Sequence, residues 1–202
     1  PCAQENPGSP GLHTTRAQIN RWLGNYAAAV EDYTRAMELT ENRNGDLGWY
    51  YYHRGTPLWI LGRWEEAASD YREAYRAMAR TSYNNVRLVL ILKEQGLHRE
   101  AAAALAEARR NVIDDPWLAR ILDCLAGEIT PDQLVAAAGN GNSQHLCEVY
   151  YYAGEVHLLQ DRPDEAWKMF TACVDKGHAI DRGNFKDRLS EYELAQWRLS
   201  LL

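Results

Sequence analysis

Six histidines and four cysteines are the residues here with the widest chemical reach. The histidines are His13, His53, His98, His145, His157 and His178. A helical zinc hydrolase needs two histidines one turn apart around a glutamate, and no His-Glu-x-x-His occurs. Neither a Gly-x-Ser-x-Gly elbow nor a phosphate-cradling glycine loop is present. Glu155 and His157 are two residues apart, so they cannot share a helix face. Glu65-Glu66 and Asp114-Asp115 read as solvated acids near helix starts, where the positive helix terminus suits them. No acid–base pair stands out. The expectation is a non-enzyme with no catalytic residue, no metal site and no cofactor.

The cysteines are Cys2, Cys124, Cys147 and Cys173, and no Cys-x-x-Cys spacing links them. Zinc and thioredoxin-type sites are therefore not indicated. Cys124 and Cys147 lie on successive ordered segments, which leaves a disulfide between them open; such a bond implies an oxidising compartment. Cys2 precedes a polar, tether-like Ala-Gln-Glu-Asn-Pro-Gly-Ser-Pro-Gly. A lipid anchor at Cys2 is one reading, favouring a periplasmic or outer-membrane-anchored protein over a cytoplasmic one. An ordinary cysteine is the other, because Pro1 is unlike the small residue that precedes a lipidated cysteine.

The remaining chemistry is recognition. Trp49, Tyr52, His53, Thr56 and Trp59 follow one another at helical intervals and form one stripe. Aromatics and arginine are the residue types that carry binding energy at protein interfaces.

What positions such a stripe is a repeat. Leu23-Gly24-Asn25-Tyr26 and the residues to Ala36 return as Leu61-Gly62-Arg63-Trp64 and the residues to Ala74. Each copy has a glycine, an aromatic two residues on, alanine five on, tyrosine nine on and alanine twelve on. A weaker copy runs from Gly96 through His98, Ala101, Leu105 and Ala108, and a fourth from Asp161 through Pro163, Ala166, Phe170 and Cys173. Such periodicity marks stacked supersecondary units. Ala29, Tyr33 and Ala36 share one helix face. The glycine closes the preceding helix in the left-handed conformation. Each unit is thus a helical hairpin that must bury its apolar face against its neighbours. In this scheme Cys173 fills a small core position, and His98 and His157 replace aromatics structurally.

This pattern resembles the tetratricopeptide repeat family. Tyr51, Gly55, Leu58, Trp64, Ala67, Tyr71 and Ala74 fit its second unit; Tyr150, Gly154, Ala166 and Phe170 fit a fourth. Unit one departs at His13 and Asn20, which are polar where the family is apolar. Unit three carries Val89, Leu92 and Leu105 where the family is aromatic. The resemblance implies an all-α right-handed solenoid. Residues 1–9 are expected to be a flexible segment, and 10–202 one superhelical domain. Its hairpins fall at about 10–40, 47–80, 82–113 and 144–176, with an irregular helix pair at 116–138 and a capping helix at 184–202. Thr130 is the expected N-cap of a helix opening at Pro131.

The family lines its concave face with the first helix of each unit. The resemblance therefore implies a partner-binding groove of Arg21, Trp22, Trp49, Tyr52, His53, Trp59, Tyr83, Arg87, Tyr151 and Tyr152. The competing reading packs these aromatics against neighbouring units or the last helix, which then fills the groove itself. Some members clamp a partner's terminal carboxylate; those positions read Thr14, Gln18, His53, Tyr83 and Arg87, and only Arg87 matches. Residues 82–202 are also similar to bacterial envelope lipoproteins of the new lipoprotein I type, which implies an adaptor for other envelope proteins.

Net charge is −6 with both signs interleaved, and no basic stripe is present, so nucleic acid is not the expected partner. No apolar run approaches the roughly 20 residues of a membrane span. The sequence points to an adaptor for a protein or peptide. The alternative is a homodimer joined through the aromatic stripe.

Overall fold

A computed structural model of the chain describes residues 9–40, 46–78, 83–112, 115–139, 143–180 and 190–202. Among them are eleven helices and no strand. They form two compact units, Pro1–Gln95 and Gly96–Leu202. No described helix is long and apolar enough to cross a membrane.

The first unit holds α1 (Pro10–Trp22), α2 (Tyr26–Leu39), α3 (Asp46–Ile60), α4 (Trp64–Ala77) and α5 (Tyr83–Glu94). α1 packs on α2 and α3 on α4; α2 also meets α3, and α4 meets α5. The hairpins turn at Gly24 and Gly62, with φ of 77° and 73°, which only glycine adopts at little cost. The repeated core is in register: Ala29, Tyr33 and Ala36 in one hairpin and Ala67, Tyr71 and Ala74 in the next are all 0% exposed. Gly55 is what admits Tyr71, since a Cβ there would lie 2.9 Å from the ring.

His13 and Asn20, the misfits in the first hairpin, have a physical reason. Asn20 Nδ2 donates to Asp32 Oδ2 at 3.0 Å, and His13 Nδ1 lies 3.5 Å from Asp32 Oδ1. Both surround a carboxylate that Arg16 holds through Nε at 2.9 Å and through a second, short contact from Nη2.

The second unit holds α6 (His98–Asn111), α7 (Pro116–Ala126), α8 (Pro131–Ala138), α9 (Ser143–Leu159), α10 (Pro163–Ile180) and α11 (Ser190–Leu199). The segment read as a third hairpin contributes α5 to one unit and α6 to the other. α7 and α8 are the irregular pair. Asp115 caps α7 by accepting from the Leu118 amide at 2.9 Å. Thr130 caps α8 as expected, and Gln133 returns the bond to make a full capping box.

α9 and α10 form the last hairpin, and the turn residue Asp161 takes the left-handed φ of 58° that glycine takes in the other turns. Ala166, Phe170 and Cys173 repeat the buried trio at 0% exposure. α11 packs on both α10 and α9. It ends at Leu199, short of the expected Leu202, and residues 184–189 of the expected capping helix lie outside the described residues. Cys2 and the rest of 1–8 also lie outside them.

Candidate functional site in the first unit

The odd-numbered helices of the first unit bring together residues far apart in sequence. Arg21 on α1 places Nη1 3.1 Å from His53 Nδ1 on α3. Trp49, one turn before His53, tilts against its ring at 3.9 Å between centroids. Tyr52 meets His53 edge-on at 5.2 Å. Arg87 on α5 sits over the Tyr52 ring, 4.8 Å from the centroid, and its Nη1 donates to Thr56 Oγ1 at 2.9 Å. Thr56 in turn lies 3.1 Å from the Tyr71 hydroxyl, which ties the cluster to the hairpin core.

This is a cationic, aromatic patch. The His53 imidazole is held well below its usual range, first by burial and then by the positive charges of Arg21 and Arg87. His53 is therefore neutral at pH 7. Arg87 over Tyr52 has cation–π geometry.

The ten residues read as a groove divide by exposure. Trp22 is 45% exposed, beside Ile19 at 41% and Leu23 at 64%. Arg21, Trp49, Tyr52, His53 and Tyr83 are half-buried. Trp59 and Arg87 are 0% exposed, and Trp59 Nε1 donates to Glu94 Oε2 at 3.1 Å. They support the patch from within and offer no surface of their own.

Tyr151 and Tyr152 are also 0% exposed, on α9 in the second unit. There α11 supplies the cover. Tyr152 donates its hydroxyl to Glu191 at 3.1 Å, and Arg198 makes a two-pronged bond to Glu155, each arm 2.8 Å. At Tyr152 the last helix lies on this face, the arrangement of the competing reading in which it fills the groove itself. Period reveals which residues share a face, and it does not reveal what lies on that face.

Sequence reasoning missed two pairs that the repeat itself encodes. Arg16 binds Asp32, and Arg54 binds Asp70, in equivalent places of the two hairpins. In both copies the arginine stands sixteen residues before the aspartate, and that recurrence was the available signal. The disulfide left open between Cys124 and Cys147 is corrected: Cys147 faces Cys173, with the two sulfurs 2.8 Å apart. Among the described residues no group of three or more His, Cys, Asp or Glu side chains is placed to hold a metal.

A tetratricopeptide repeat family model matches residues 11–80. No curated protein sequence matches the chain. Among solved structures, the thermophilic TPR protein TTC0263 of Thermus thermophilus aligns with a TM-score of 0.53 at 19% identity, over 93% of this chain and 99% of that one. YrrB, a TPR protein with an unusual peptide-binding site, aligns at 0.49 and 18%, over 96% of this chain and 95% of that one. MamA aligns at 0.48 and 14%, over 87% and 82%. The likeness to TTC0263 shows the fold: helical hairpins of the tetratricopeptide kind.

Proposed function

We propose, on the premise that residues 11–80 are tetratricopeptide repeats, that this protein is a non-catalytic adaptor. Its first unit receives a partner protein or an extended peptide on the face shared by α1, α3 and α5. One observation carries the reading: Arg21, Trp49, Tyr52, His53 and Arg87, spread over 67 residues of sequence, converge on a single patch. Trp22 would extend that face outward from the end of α1. Hot spots at protein interfaces are enriched in tryptophan, tyrosine and arginine. The half-buried Arg21 guanidinium beside the aromatic rings also favours a partner with acidic and apolar groups together.

Peptide display against the immobilised protein tests this. Selected peptides should combine acidic with large apolar residues, and their affinity should fall at least tenfold in Arg21→Ala and Trp22→Ala, both with unchanged circular dichroism. Selected peptides indifferent to both substitutions would place recognition elsewhere.

A second reading rests on the exposed Ile19, Trp22 and Leu23 at the end of α1. In it these side chains join two copies of the chain. Sedimentation at micromolar concentration separates the readings: a dimer that Trp22→Ala splits supports the second, and a monomer excludes it.

The envelope-adaptor form of the proposal depends on Cys2. Intact mass of protein extracted from membranes, with and without Cys2→Ala, tests for an acyl chain there.

A further inference from the structure

We propose that Cys147 and Cys173 are partners in a disulfide that staples α9 to α10. The two residues face one another across the last hairpin, 26 positions apart in sequence, and both are 0% exposed. Their sulfurs lie 2.8 Å apart, and an approach of under an ångström reaches the roughly 2.05 Å of a bond. The helices that carry them are already packed together, so no backbone rearrangement is required.

The oxidant is a disulfide, R–S–S–R, of a small thiol or of another protein. The Cys147 thiolate attacks one sulfur and expels RS⁻, which takes up the proton Cys147 lost. The Cys173 thiolate then attacks Cys147 Sγ in the mixed disulfide and expels the second RS⁻, which is protonated in turn. Two protein thiols and one R–S–S–R become one protein disulfide and two RSH, with electrons and protons balanced. Burial pushes the Cys173 thiol well above its ordinary range, and the neighbouring Cys147 adds to this. A protonated thiol is a poor nucleophile. The exchange is therefore slow in the closed unit and proceeds while α10 is still docking or has transiently opened.

The test is refolding of the whole chain in oxidised and reduced glutathione, followed by alkylation, trypsin digestion and mass spectrometry. The expected product is peptide 169–176, which carries Cys173, linked to the peptide carrying Cys147. The link should persist in Cys124→Ala, which removes the other cysteine of that second peptide. Reduction should lower the thermal midpoint by roughly 5–15 °C in the parent chain. It should leave Cys147→Ala unmoved. If Cys173 is fully alkylated at every glutathione ratio, or is linked to Cys124 or Cys2 instead, the proposal is overturned. The peptide map of Cys124→Ala leaves Cys147 as the one cysteine of its peptide, so the assignment stands even where Cys147→Ala folds poorly.

Discussion

Arg54 grips Asp70 with two hydrogen bonds, Nε to Oδ2 and Nη2 to Oδ1, each 2.8 Å long. With Nη1 it also reaches Thr34 Oγ1 on the preceding hairpin at 2.9 Å. One side chain thus joins α3 to α4 within a hairpin and to α2 of the hairpin before it. Burial pushes the Asp70 carboxyl above its usual range, and Arg54 offsets this only in part. The pair is therefore not a large net gain over leaving both ions in water, but loss of one partner strands the other. Asp70→Asn or Arg54→Met should each cost about 3 kcal/mol. The double change Arg54→Met with Asp70→Leu should cost less than either alone. Urea denaturation of the four chains of that cycle checks the order, and additive losses would contradict it.

The equivalent carboxylate of the first hairpin behaves oppositely. Burial pushes Asp32 up, but Arg16, His13 and Asn20 outweigh it and hold the carboxyl below its ordinary value. A depressed carboxyl contributes stability that is present above the unfolded value of 3.8 and is lost as pH falls through the folded value. For Asp70, raised in the fold, the sign reverses: its contribution is complete below the unfolded value and declines as pH rises. Carboxyl carbon shifts followed by NMR between pH 2 and 7 should show Asp32 titrating below Asp70. The opposite order would mean that the two pairs are not distinguished by burial.

His53 sets a second pH dependence. Its folded-state value lies well below the unfolded 6.5, so it is neutral in the fold and protonates readily only on unfolding. Its contribution is intact above pH 6.5 and is lost as pH falls from there towards the folded value. The slope is at most about 1.4 kcal/mol per pH unit. Urea midpoints from pH 8 to pH 5 should fall in the parent chain. In His53→Gln the decline beginning near 6.5 should become shallower, leaving the share of His157, whose value burial also lowers.

Glycine at two kinds of position should respond differently to alanine. At Gly96 an added Cβ meets nothing within 4 Å, so Gly96→Ala costs only the strain of its φ of 72°, about 1 kcal/mol. At Gly154 the Cβ would lie 2.6 Å from the Phe170 ring, on a fully buried side chain that cannot yield. Gly154→Ala should cost clearly more, about 2 kcal/mol or above. Asp161→Gly should be neutral to mildly stabilising, since it removes a non-glycine residue from the left-handed region. Thermal denaturation of the three variants gives the ranking.

The hairpins were legible in sequence because their contacts are local. Alanine, aromatic and alanine on one face, closed by a glycine, dictate both the helix and its partner a few residues away. Thr130 and Pro131 announced a capping box just as locally. The patch was half legible. Helical spacing on α3 found Trp49, Tyr52 and His53 together. It could not tell that Trp59 lies under the surface, since burial depends on what α5 brings. The Arg54–Asp70 pair was harder still, because charge at a helix surface reads as solvated until the second helix folds over it. The last helix was one of two readings for what lies on Tyr152, and the residue that meets it was least legible, because Glu191 lies 39 positions downstream.

That cover rests on a close approach and one ion pair. A Cβ on Gly177 of α10 would lie 2.1 Å from the Tyr192 ring of α11, so glycine is what lets the two helices meet. The Arg198–Glu155 pair beside it is almost fully buried, with 7% and 3% of the side chains exposed. α11 is short, and a helix of its length has little stability apart from packing. Gly177→Ala should therefore release α11 by pushing Tyr192 outward, and Arg198→Ala should release it by stranding Glu155. Both variants should lose hydrogen-exchange protection across 190–199, while the core of α9 and α10 stays protected. Loss of protection through all three helices at once would mean that α11 is part of the hairpin's cooperative core and not a cover laid upon it.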